Sequence, residues 1–353
     1  VNPTPQLSST QTPPAICTGS VFNYAATTVT SGTTISWTRA AVSGINNTAI
    51  TTPQNSNPSE TLVNTTANPI DVVYRFTLTA NGCSNTQDVT VTVKPSPVVS
   101  SMSSLEICSD DNLIYTATSL TAGTNFSWTR AAVAGISNAA ASGSSDTINE
   151  TLINTTADPI DVIYVFTLEA NGCTTTQDVT VTVNPSPVLT SSTSLEVCDG
   201  EEFSYTATSA TSGITYLWTR DVVSGISNSA GSGSGATITE TLINTTFEPI
   251  DVVYEFSLSA NGCDNIQFVT VTVNPTPTLD SSLTPPAVCG NEAFTYTPSS
   301  ATTNANFTWT RPAVTGISNT AITAPQSSAP NEILVNTTPD PIEVIYIYEV
   351  TAN

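Results

Sequence analysis

The chain has 353 residues, 28 Asp+Glu against 6 Lys+Arg and no histidine, for a net charge of −22. That balance lacks the cationic footprint phosphates require, and the missing histidines remove Ser–His triads, histidine acid/base chemistry and histidine-containing metal sites. Only 10% of residues are charged while 39% are hydrophobic, so the chain is not a disordered polyelectrolyte, and no apolar run approaches the ~18 residues a spanning helix needs.

Length alone predicts two to four domains at ~100–200 residues each. Internal repetition fixes the number. Trp37, Trp128, Trp218 and Trp309 recur every 90 or 91 residues, each followed by Thr and then Arg39, Arg130, Arg220 or Arg311. The segments ETLVNTT, ETLINTT, ETLINTT and EILVNTT begin at Glu60, Glu150, Glu240 and Glu332. The boundary motif ending at Pro5, Pro97, Pro187 and Pro277 recurs at spacings of 92, 90 and 90. Four modules are therefore expected: residues 1–96, 97–186, 187–276 and 277–353. Residues 1–5 read as the tail of a preceding module, and module four as incomplete at its C-terminus, so the sequence reads as a window on a longer array.

Along module one, VFNYAAT (residues 21–27) alternates apolar and polar residues, as does TISWTR around Trp37. DVVYRFTLTA (71–80) and TQDVTVTV (86–93) flank Asn81-Gly82, the residue pair of a two-residue hairpin. No segment shows a capped helical period. Some seven short strands per module predict a two-sheet sandwich. Its core is read from parity: Phe22, Tyr24, Ile35, Trp37, Leu62, Val72, Tyr74, Phe76 and Leu78. The same slots recur around Trp128, Trp218 and Trp309.

The stretch CTGSVFNYAAT…GTTISWTRAAVSGI…ETLVNTT…PIDVVYRFTLTANGCSNTQDVTVTVKPSP resembles the PKD-like (polycystic-kidney-disease-type) repeats of large Bacteroidota cell-surface proteins, gliding-motility adhesins among them. The resemblance spans the whole chain four times. It implies an all-β tandem array of four immunoglobulin-like sandwiches, extracellular or cell-surface location, and stalk or adhesive service. It implies no catalytic residue.

Cysteines recur as Cys17/Cys83, Cys108/Cys173 and Cys198/Cys263, and Cys289 has its counterpart position beyond Asn353. Without histidine or Cys-x-x-Cys spacing they read as disulfide candidates. Pairing within a module comes first. A staple between neighbours, such as Cys17 with Cys173, comes second, because the two cysteines of one module would sit at opposite ends of strands far longer than the ~4.4–6.8 Å a disulfide spans. Free thiols are the third reading. Arg and Glu share core-edge parity, predicting structural ion pairs Arg39–Glu60, Arg130–Glu150, Arg220–Glu240 and Arg311–Glu332, against a carboxylate-recognising Arg as the alternative.

No cofactor is expected. The acid pairs Asp110/Asp111 and Glu201/Glu202 are the one place to consider calcium, and modules one and four lack them. Asn64, Asn154, Asn244 and Asn336 open formal N-glycosylation sequons, read here as turn-forming side chains. Residues 46–59 and 318–331 resemble each other and differ from 137–149 and 227–239, so these loops are where recognition is expected. Short linkers with two prolines favour modules held end to end, a rod of very roughly 120–160 Å from strand rise. The expected function is a non-enzymatic stalk or adhesive filament, with neighbouring repeats, surface polysaccharide or a solid surface, and further copies of itself as partners. A carbohydrate-binding module and a self-assembling sheath are the alternatives.

Overall fold

The computed structural model describes residues 1–352 and contains strands and turns but no helix among them. Module one comprises β1 (Ile16–Cys17), β2 (Val21–Asn23), β3 (Thr34–Arg39), β4 (Ile50–Gln54), β5 (Ser59–Thr61), β6 (Ile70–Ala80) and β7 (Cys83–Lys94). Module two repeats this as β8 (Ser104–Cys108), β9 (Asn112–Thr116), β10 (Asn125–Arg130), β11 (Ala141–Gly143), β12 (Thr147–Thr151), β13 (Ile160–Ala170) and β14 (Cys173–Asn184). Module three contains β15 (Ser194–Cys198), β16 (Glu202–Thr206), β17 (Thr215–Arg220), β18 (Gly231–Ser234), β19 (Thr237–Thr241), β20 (Ile250–Ala260) and β21 (Cys263–Asn274). Module four shows β22 (Ala293–Thr295), β23 (Asn306–Arg311), β24 (Ile322–Gln326), β25 (Asn331–Ile333) and β26 (Ile347–Thr351).

Each of the first three modules packs a five-stranded sheet on a two-stranded one. In module one the orders are β1-β7-β6-β3-β4 and β2-β5, and modules two and three repeat them. The long hairpin β6–β7 turns at Asn81-Gly82, both in the left-handed region at φ 51° and 79°, which is why Asn and Gly stand there. The pair repeats at Asn171-Gly172 and Asn261-Gly262. The first strand of each of the first three modules runs parallel to the end of the last, setting Cys17 opposite Lys94.

Alternation along these strands explains the core. Val72, Tyr74, Phe76 and Leu78 of β6 and Val89, Val91 and Val93 of β7 are fully buried, and Phe22 and Leu62 close on them from the opposite sheet. The Phe22 and Trp37 rings lie 5.1 and 5.2 Å from that of Tyr74, a favourable tilted packing of aromatics. The strand expected over residues 21–27 ends at Asn23, after which the Tyr24 amide donates to the Pro58 carbonyl.

Two compact units divide the chain, Val1–Pro185 and Ser186–Asn353. The first holds modules one and two, the second modules three and four.

Candidate functional site

Each module buries one arginine. Arg39, Arg130, Arg220 and Arg311 are at most 2% exposed, which a lone guanidinium does not tolerate. Each lies at the end of the Trp-bearing strand, facing inward beside its tryptophan. Arg39 Nε donates to Glu60 Oε2 at 2.9 Å and Nη2 to Oε1 at 3.0 Å. Arg130–Glu150, Arg220–Glu240 and Arg311–Glu332 repeat this two-pronged geometry. The Tyr74 hydroxyl donates to Glu60 Oε2 at 2.7 Å, and Tyr164, Tyr254 and Tyr346 do the same to their own glutamates. Burial first, then the adjacent carboxylate, pushes all four phenols well above the ordinary range, so they remain donors. Two further guanidinium hydrogens go to backbone: Arg39 donates to the carbonyls of Ala40 and Thr48, Arg130 to those of Ala131 and Ala139. Four of the five N–H donors are thus committed internally on a side chain at most 2% exposed, so this arginine is not presented to an external carboxylate.

That second carbonyl belongs to the segment expected to be a recognition loop. Residues 46–59 instead contribute edge strand β4, whose Gln54 lies opposite Trp37. The corresponding β11 and β18 in modules two and three are Ser/Gly-rich. The two sequence types cover the tryptophan differently. Trp37 and Trp309 Nε1 donate to the carbonyls of Ser56 and Ser328, both at 2.6 Å. In module two Trp128 reaches Thr147 O at 3.2 Å, and its indole lies against Gly143. In module three Trp218 lies against Gly233 and its buried Nε1 has no acceptor among the described residues. The difference between the segments is thus partly a packing difference, which sequence comparison alone did not separate from recognition.

The sequon asparagines are structural in their bonding. Asn64 is buried; its amide donates to the carbonyls of Asn68 and Val93, while its Oδ1 accepts from the Thr66 amide and hydroxyl. Asn154 and Asn244 repeat the pattern, and Asn336 donates to Asp340 O. Asp110 and Asp111 form a tight turn after β8, with Asp110 at φ 73°. Among the described residues no three acid or cysteine side chains gather in a metal-ligating group.

The leading expectation for the cysteines, pairing within each module, is not what forms. Cys17 is bonded to Cys173 of module two, with a Cα separation of 5.8 Å, while Cys83 is a free thiol. The reason is the register: Cys17 sits beside Lys94 where β7 ends, whereas Cys83 begins β7 eleven residues away at the other end of the same strand. The Asn171-Gly172-Cys173 turn of module two meets the end of module one. Lys94 Nζ donates to Asn171 O at 2.8 Å in the same joint. Asn2, in the position equivalent to Lys94, donates likewise to Asn81 O at 2.9 Å. Cys198 and Cys289 are exposed free thiols; Cys108 ends β8 and Cys263 opens β21, and neither is a free thiol.

A feature missed in the sequence lies on the outer face of module three. Leu217, Ile266 and Phe268 are each more than half exposed, Leu217 and Ile266 flanking Ser257 in one cross-strand row. The equivalent positions are Ser36, Thr86 and Asp88 in module one and Ser127, Thr176 and Asp178 in module two. Aligning the repeats column by column reveals it. A depression of about 310 Å³ in module four is lined by Phe307, Trp309, Ser328 and Tyr348; its aromatics belong to the core ladder, and burial pushes the Tyr348 hydroxyl up to about 12.

A family model described as a PKD-like domain matches residues 14–97, 105–187 and 195–277. Among solved structures, the chain is similar to the I-band fragment I67–I69 of titin (12% identity, 78% of this chain and 100% of that one, TM-score 0.35). It is also similar to the insect immune protein hemolin (11%, 95% and 93%, 0.26) and to immunoglobulin domains 1–4 of Sidekick-1 (12%, 99% and 97%, 0.25). No curated protein matches the chain.

Proposed function

Because the chain belongs to the PKD-like domain family, we propose that it is a non-enzymatic structural and adhesive array, a segment of a large extracellular surface protein of the gliding-adhesin kind. Its modules act as rigid spacers that hold weak-binding faces at fixed intervals, so that many weak contacts sum by avidity. The observation that carries this reading is the Cys17–Cys173 disulfide. A bond between consecutive modules fixes their spacing, and disulfides persist in oxidising, extracellular surroundings. The pairing of each buried Arg with its Glu supports a structural role over a binding role for these charges. No helix among the described residues is long and apolar enough to cross a membrane, which says nothing about strands.

The test is attachment. Beads coated with the purified chain are presented to glass, polysaccharide gels and cells, beside beads carrying a charge-matched sandwich protein. Saturable attachment above the control is expected. Exchanging residues 46–59 and 318–331 for the module-two type of segment keeps the edge strand and its cover of the tryptophan, and so asks whether attachment resides there. Attachment no better than the control would remove adhesion from this array and leave it a spacer.

A further inference from the structure

The disulfide does more than set spacing, because of where its two ends lie along the chain. Cys17 closes the first strand of module one, ahead of all that module's other strands. Cys173 is the first residue of β14, the last strand of module two, which runs without interruption to Asn184 and the following linker. A covalent path therefore enters at Val1, crosses from Cys17 to Cys173, and leaves along β14. Between Val1 and the end of β14, the Cys17–Cys173 bond closes residues 18–172 into a loop beside that direct path.

We propose that Cys17–Cys173 is a load-bearing strut that takes the bodies of two modules out of the line of tension. In an array of sandwiches joined only by peptide linkers, pulling on the ends loads every module in series. Each can be unravelled strand by strand, and the released chain lengthens the tether. Here the sequence separation of 156 residues between the cysteines is withheld. Should both modules unfold under load, the chain between Val1 and Val188 still cannot extend beyond the roughly 30 residues left on the direct path, about 100 Å at ~3.4 Å per residue. The non-covalent contacts at the joint point the same way. The Lys94 ammonium holds Asn171 O at 2.8 Å and Cys17 Sγ lies 3.8 Å from Gly172 O, so module two's turn is seated on the end of module one by contacts beside the disulfide. The strut rests on the array reading only for the tension it resists; its geometry is independent of whether any face of the chain adheres.

Single-molecule pulling tests this on the full chain, with handles at the exposed positions Val1 and Val188. The oxidised wild type is expected to reach its length limit near about 100 Å between handles, at ~3.4 Å per residue. Cys17→Ser and Cys173→Ser should each extend further by roughly 530 Å, the 156 withheld residues at ~3.4 Å each. The wild type after reduction should match the variants. Circular dichroism and tryptophan fluorescence at zero force confirm that each variant is folded, and the reduced wild type provides the comparison without any substitution. Equal limiting lengths for oxidised wild type and Cys17→Ser would overturn the strut. So would recovery of Cys17 and Cys83 in one linked peptide from non-reducing digests. Neither result bears on bead attachment, so the two proposals fail separately.

Discussion

Arg130 and Glu150 meet as a two-pronged ion pair, Nε to Oε2 at 3.0 Å and Nη2 to Oε1 at 3.1 Å, across the two sheets of module two. The guanidinium is nearly sealed from water while the carboxylate keeps a small opening. A buried pair of this kind contributes little net stability relative to an apolar pair, but removing one member strands the other charge, at a cost of ~3–5 kcal/mol. Glu150→Ala and Arg130→Ala are each expected to lower unfolding free energy by about that amount, and the double variant by far less than the sum. Tyr164→Phe removes one charge-assisted bond to the same oxygen and should cost about 1.5–3 kcal/mol. Denaturant melts of the single and double variants measure all four values. Small, additive effects would show that the pair is not coupled.

The same carboxylate predicts an acid dependence. Burial by itself would raise the Glu150 carboxyl, but hydrogen bonds from Arg130 and Tyr164 outweigh it and hold the group below its ordinary 4.5. The folded chain thus binds that proton more weakly than the unfolded chain. The stabilisation is complete above about 4.5 and drains away as pH falls through the lower folded value. Wild type minus Glu150→Gln isolates this contribution from the relief of charge repulsion that acid brings to so acidic a chain. The difference should be constant from about pH 7 to 5.5 and shrink below about 4.5. A difference that grew on acidification would contradict the assignment.

The sandwich was legible because its causes are local. Alternation in DVVYRFTLTA, Asn-Gly at the hairpin and a 90-residue recurrence all act within a few residues or by direct repetition. The Arg–Glu geometry follows the same parity, since Arg39 lies two residues from Trp37 and Glu60 two from Leu62, and all four face inward. The disulfide partner was not legible from parity. It depends on β1 running parallel to β7 and on which end of a neighbour's hairpin comes near, both tertiary facts. The glycine-rich edge strands were equally opaque, because Ala-Ser-Gly and Gly-Ser-Gly-Ser carry no strand propensity and are held there by the indole beneath them.

Gly143 shows that dependence. A Cβ there would come 2.6 Å from Trp128 Cε2 and Nε1, and at Gly233 about as close to Trp218. The obstacle is the ring itself, not a flexible tip. Gly143→Ala should cost about 1–3 kcal/mol by overpacking and shift the Trp128 fluorescence. Gly290→Ala meets nothing within 4 Å and its backbone is not left-handed, so it should be near neutral. Equal thermal stability of the two variants would mean that β11 yields freely and the tryptophan is not what fixes it.

The outer face of module three carries the last expectation. In module one Arg75 and Asp88 form an exposed ion pair across β6 and β7, and in module three those positions are Glu255 and Phe268. Beside them, Leu217 and Ile266 replace serine and threonine. Three large apolar side chains more than half exposed on one sheet face form a patch of the kind that marks contact surfaces on soluble proteins. Converting Leu217→Ser, Ile266→Thr and Phe268→Thr makes this surface polar without setting an acid opposite Glu255, and changes none of the residues buried in the core. Retention on a hydrophobic-interaction matrix should fall markedly, with thermal stability changed by no more than about 1 kcal/mol because the substitutions are at the surface. Unchanged retention would show that this face is not accessible in solution. A large loss of stability would show that the three side chains support the fold instead of presenting a surface.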